Sequence, residues 1–153
     1  MSEAELLEEA RRWLQCSGED LEVAETLVRD PELTPRAACF HAQQAGEKAL
    51  KAALIASGID FPRIHNLNSL RNLLREGWSI KDAGADLAAL SEWAVEARYP
   101  GDLPVATRED AQRAVRQARE VHESVHADLE QQARRCAHQD ETTAQGRDEG
   151  KKE

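Results

Sequence analysis

The chain has 153 residues, of which 41% are hydrophobic and 32% charged, and 20 basic against 29 acidic side chains leave a net charge of −9. That apolar share excludes a wholly disordered chain, and only 8 glycines and 5 prolines argue against a turn-rich sandwich or barrel. The acidic balance excludes a sequence-independent coat on nucleic acid, though a local basic cleft stays open.

Such a length predicts one domain with a core of its own. Alanine, leucine, glutamate and arginine dominate, which favours helix. No apolar run is long enough to span a membrane. The opening Met-Ser-Glu-Ala-Glu predicts no signal peptide. Cys16, Cys39 and Cys136 are an odd set without CxxC spacing, so they read as reduced thiols of a cytoplasmic protein with no metal site.

The first helix is predicted from about Ala4 to Val28, where Leu7, Ala10, Leu14, Leu21, Ala24 and Val28 repeat at helical spacing. Asp30-Pro31 ends it, because proline disfavours helix in the preceding residue. Thr34-Pro35 opens the second helix as cap and first helical position, and the helix runs to about Ser57 with Gly58 as its stop. Ala38, Ala42, Ala45, Gly46, Ala49, Ala52 and Ala53 cover much of its circumference, so it is expected at the centre, with neighbours approaching closely.

A loop follows from Ile59, with His65 in it. Asn66 or Asn68 caps a short third helix through Arg75, stopped by Gly77. Ile80, Ala83, Leu87, Leu90, Ala94 and Ala97 predict a fourth helix ending at Tyr99-Pro100. Thr107 and Asp110 form a capping pair for a fifth, with Ala111, Ala114, Val115, Ala118, Val121, Val125 and Leu129 as its stripe. Residues 139–153 lose the periodicity and are expected to be a disordered charged tail; residues 1–138 form the domain. The expected fold is all-α: an antiparallel up-and-down four-helix bundle with an additional short helix.

Chemistry concentrates on the second helix. Glu47 falls inside the arc of Phe40, Leu50 and Leu54, and Gln43 lies within the same arc. A carboxylate there needs a partner or a raised pKa. Arg98 shares a face with Leu87, Leu90 and Ala94 and is the candidate partner. The pair is either a structural ion pair or part of a polar ligand or dimer site. His65 is a turn-stabilising donor or a general acid–base group. Tyr99, the only tyrosine, reads as a packing residue, His122 as a core or interface histidine, and His41 as surface. Phosphate-loop, dinucleotide, HExxH and GxSxG motifs are absent, and the paired ExxH of di-iron bundles is missing.

The stretch Ala37-Ala38-Cys39-Phe40-His41-Ala42-Gln43-Gln44-Ala45-Gly46-Glu47-Lys48-Ala49-Leu50-Lys51-Ala52 resembles the HEPN domain family. Gly58-Ile59-x-Phe61-Pro62-x-x-His65-x-Leu67 and Ala94-Val95-Glu96-Ala97-Arg98-Tyr99-Pro100-Gly101-Asp102 agree in order and spacing. The resemblance implies a small helical bundle that forms homodimers. It also implies metal-independent ribonuclease chemistry in many members, through an Arg-x4-6-His motif. The stand-alone prokaryotic branch is often paired with a nucleotidyltransferase protein, as toxin and antitoxin, the transferase modifying a tyrosine near the motif; nucleotide binding is a further implied property. Here no histidine follows Arg98 within the window, and the motif occurs instead at Arg36/His41, Arg116/His122 and Arg119/His126.

The resulting expectation is a homodimer whose polar cleft is lined by Gln43, Glu47, Lys48, Lys51, His65, Arg98 and Tyr99. It would bind a nucleotide or RNA phosphate and need no cofactor. Arg98 would clamp phosphate through its fork, His65 would move a proton, and Glu47 would orient Arg98. The alternative of a different class is a non-catalytic helical module that docks a partner protein.

Overall fold

The computed structural model describes residues 1–83, 85–94 and 99–149. Six α-helices run in the order α1 (Glu3–Arg29), α2 (Pro35–Ala56), α3 (Leu67–Leu73), α4 (Ser79–Asp82), α5 (Ala88–Ser91) and α6 (Arg108–Glu149), with a 3-10 turn at Pro100–Asp102. The described residues contain no strand, so the class is all-α as expected.

Each long helix is opened or closed by its own sequence. Ser2 Oγ accepts from Glu5 N while Glu5 Oε2 accepts from Ser2 N, a capping box that starts α1. Pro35 takes the first position of α2. At the other end Gly58, at φ 67°, turns the chain: Gly58 N donates to Ile55 O and Ile59 N to Leu54 O, which satisfies two orphan carbonyls. Thr107 and Asp110 exchange backbone and side-chain bonds at the start of α6, and those bonds hold the Asp110 carboxyl below its usual range.

Cross-helix contacts fix the topology. Ser17 meets Ala45 and Asp20 meets His41, so α1 and α2 run antiparallel. Arg11 meets Glu130 and Glu25 meets Arg119, so α1 and α6 do too. Helices α3, α4 and α5 lie between α2 and α6 in the chain, on the leg that returns along the bundle. Ala38, Ala42, Ala45, Ala49, Ala52 and Ala53 of α2 are fully buried, and α2 packs against both α1 and α6, so α2 is the central helix, as expected.

One expectation needs correction. The predicted fourth helix is not continuous: α4 and α5 are separate four-residue helices. The spacing did locate buried positions, since Ile80, Leu87 and Leu90 are all in the core. What breaks the helix is Asp86, whose carboxylate accepts from Ala88 N and from Asn68 Nδ2 and so offers the backbone a local cap instead of a helical turn. The last helix, α6, runs on through residues 139–149. Ala, Gln, Glu and Arg favour helix whether or not they are buried, and residues 139–147 are exposed throughout. No helix among the described residues is long and apolar enough to cross a membrane.

Candidate functional site

Gln43, Glu47 and Lys51 stand at successive turns of one face of α2 and are the buried polar side chains of that helix. Glu47 is 5% exposed and Lys51 9%. The residues after the Gly58 turn bring His65 over this face. His65 Nδ1 lies 2.6 Å from Glu47 Oε1. A carboxylate only accepts, so Nδ1 carries the proton. Lys51 Nζ sits 3.7 Å from the other oxygen, Oε2. Gln43 grips the pair twice, since its Nε2 donates to the His65 carbonyl at 3.3 Å and reaches Glu47 Oε1 at 3.5 Å. Gln44 Nε2 in turn donates to Gln43 Oε1 at 2.7 Å. Gln43 is fully buried, so it orients its neighbours rather than meeting a ligand.

The apolar wall beside this cluster is aromatic. Lys51 Nζ lies 5.5 Å from the Phe61 ring centroid, and Trp13 packs edge-on against the same ring at 6.4 Å. Phe61 stands in the Gly58-Ile59-x-Phe61-Pro62 segment of the resemblance but was given no place in the site; the Gly58 turn brings it back over the last turns of α2.

Other expected members stand elsewhere. Lys48 points to the α1 side, where its Nζ meets Asp20 Oδ2 at 2.5 Å, and Asp20 Oδ1 takes His41 Nδ1 at 3.1 Å. One residue from Glu47 is a rotation of about 100°, which is why Lys48 and Glu47 part company. Tyr99 is 79% exposed, beside the 3-10 turn rather than packed in the core. Arg98 lies outside the described residues; the described partners of Glu47 are His65, Lys51 and Gln43.

His122, read from the sequence as a core or interface histidine, has a partner that sequence reasoning missed. Fully buried Ser17 donates its one hydroxyl proton to Ala45 O at 2.7 Å. Its contact with His122 Nδ1 at 2.9 Å must then be donated by the imidazole. Burial first, and His126 second, hold the His122 pKa below its ordinary value. His122 and His126 stack in a groove of about 410 Å³ between α1 and α6, lined also by Gly18, Glu19, Glu22 and Glu130. Among the described residues no three His, Cys, Asp or Glu side chains are arranged to hold a metal ion. Burial, helped by Asp110, pushes the Cys39 thiol up to about 11, so it is no nucleophile at neutral pH.

The helical frame has known relatives. The HEPN domain family model matches residues 10–131. The chain belongs to the HEPN domain family. It is 31% identical over 132 residues to a protein of Methanocaldococcus jannaschii carrying the name "Putative toxin MJ1304", covering 76% of this chain and 85% of that one. The crystal structure of TT1696 from Thermus thermophilus superposes with a TM-score of 0.63 at 29% identity, covering 77% of this chain and 96% of the other. The crystal structure of ST0689, an archaeal HEPN homologue, gives 0.56 at 22% identity over 78% and 97% of the two chains, a likeness of fold. The HEPN bundle thus accounts for the central α2 and for the frame that carries His65.

Proposed function

We propose that this HEPN chain is the toxin-like member of a two-protein pair and that His65, held by Glu47, is its working residue. The observation that carries this is the 2.6 Å contact between His65 Nδ1 and Glu47 Oε1. A carboxylate that is buried, backed by Lys51 and Gln43, fixes the imidazole's tautomer and direction, as an orienting acid does for a general base. Its ligand is a nucleotide or an RNA phosphate. Arg98 clamps the phosphate through its bidentate fork, and Lys51 sets the local charge. The exposed Tyr99, beside Arg98 in sequence, is the side chain a nucleotidyltransferase partner reaches. The toxin name carried by the Methanocaldococcus relative supports the pairing. The acting unit is a homodimer in the cytoplasm.

Calorimetric titration with nucleotides and short RNA tests this on wild type, His65→Ala and Arg98→Lys. Expected is binding by wild type that weakens about tenfold or more in each variant, since lysine keeps the charge and loses the fork. Equal affinities, or no binding by wild type, would leave the cluster as a loop anchor and favour a protein-docking module. Light scattering that gives a 17.0 kDa monomer would remove the dimer.

A further inference from the structure

Helices α3 and α5 are seven and four residues long. Neither length sustains a helix alone, because the first turn orders more backbone than one hydrogen bond repays. They are held by an exchange of caps. Ser91, at the end of α5, accepts from Leu67 N, the first residue of α3, at 2.9 Å and donates to Leu87 O at 2.8 Å. In the other direction Asn68 Oδ1, on α3, accepts from Leu87 N, at the start of α5, at 3.0 Å. Asn68 Nδ2 also donates to Asp86 Oδ1 at 2.9 Å. Arg71 spans both, with one nitrogen on Ala85 O and one on Asn68 Oδ1.

Below this clasp lies a notch in α2. A Cβ added at Gly46 would stand 3.3 Å from Leu67 Cδ1 and 3.3 Å from Leu90 Cδ2. One leucine comes from α3 and the other from α5, and both close on the residue that precedes Glu47. A glycine inside a helix costs about 1 kcal/mol against alanine. Here it lets the pair of short helices sit down beside the carboxylate. His65 is two residues before Leu67, so the position of α3 sets where its imidazole falls.

We propose that Asn68 and Ser91 are positioning residues for His65: α3 and α5 order as one reciprocally capped unit, and that unit places the imidazole on Glu47. This rests on reading Glu47 and His65 as the site, but its test uses no activity. Amide hydrogen exchange at Leu67 and Leu87 and the NMR chemical shifts of the His65 ring nitrogens, which report its contact with Glu47, are measured on the full chain. The variants are Ser91→Ala, Asn68→Ala and Ser91→Thr. Each alanine variant is expected to speed exchange at both amides by about tenfold or more, including the amide whose own acceptor is intact, and to move the ring nitrogen chemical shifts of His65 as its contact with Glu47 loosens. Ser91→Thr, which keeps the hydroxyl, restores both. Gly46→Ala keeps both caps while pressing on both leucines, and must loosen the two amides together; it serves if an alanine variant fails to fold. Loss of protection only at the amide whose acceptor was removed, or unchanged His65 ring shifts in the folded variants, overturns the proposal. His65→Ala separates the two ideas. Both amides stay protected in it if the clasp stands, whatever happens to ligand binding.

Discussion

Two carboxylate–histidine–lysine sets flank α2, and they differ in depth. Glu47 holds His65 and Lys51, with the carboxylate and lysine side chains 7% and 11% exposed. Asp20 holds His41 and Lys48, with the carboxylate and lysine side chains 15% and 31% exposed; the two histidines are alike, His65 at 33% and His41 at 32%. The chemistry is the same and the solvent is not. Water can take over the charges of the Asp20 set when a partner leaves, so that set is a staple between α1 and α2. It cannot do so at Glu47, where an unpaired charge would stay desolvated. A buried set of this kind is expensive to keep, and it holds a histidine that reaches in from a loop.

Substitutions sharpen that contrast, and the largest effect is expected at Glu47. Glu47→Ala strands Lys51 and releases His65, and should cost about 3 kcal/mol in urea unfolding. The notch comes next. Gly46→Val forces a branched side chain against Leu67 and Leu90 and should cost about 2 kcal/mol, with the loss read in the same denaturation experiment. Asp20→Ala should cost only about 1 kcal/mol. If Asp20→Ala proves as damaging as Glu47→Ala, depth is not what separates the two sets.

His122 supplies a smaller, pH-dependent effect. Burial and then His126 lower its pKa from 6.5 in the fold, with Glu123 and Glu25 pulling the other way. The unfolded chain then binds more protons, so this stability is present above 6.5 and lost as pH falls toward the lower folded value. Urea midpoints compared at about pH 7.5 and about pH 5 should drop more for wild type than for His122→Gln. Smallest of all is removal of the chain after His138. The melting temperature should stay within about two degrees, because residues 139–147 bury nothing.

Much of this fold was legible in the sequence. Apolar spacing located α1 and α2 and the start of α6, and the Thr107–Asp110 cap was read from residue types alone. The same spacing failed at Ala83–Ala94, since periodicity reports which positions are buried and not whether the backbone between them is continuous. Asp86 and Asn68 decide continuity there, through side-chain bonds to residues far along the chain. The site was half legible. Glu47 inside an apolar arc announced a buried pair, and the helical wheel put Gln43 with it. The identity of its partner was not readable, because His65 reaches Glu47 through a turn whose path depends on Gly58. Lys48 was grouped with Glu47 by proximity in sequence, which a helix converts into separation. Ser17 and His122 are 105 residues apart and share no motif, so only the fold could join them.

The reciprocal caps of α3 and α5 also say something about time. The α1–α2 pairing joins residues 28 apart, as Ser17 and Ala45 are, and can form early. Helices of seven and four residues cannot nucleate before there is a surface to receive them. The His65 contact with Glu47 spans only 18 residues, but on the proposal above it is fixed only once α3 and α5 have docked. A newly made chain carries its carboxylate and its histidine from the start, yet has no assembled site until the rest of the molecule is in place.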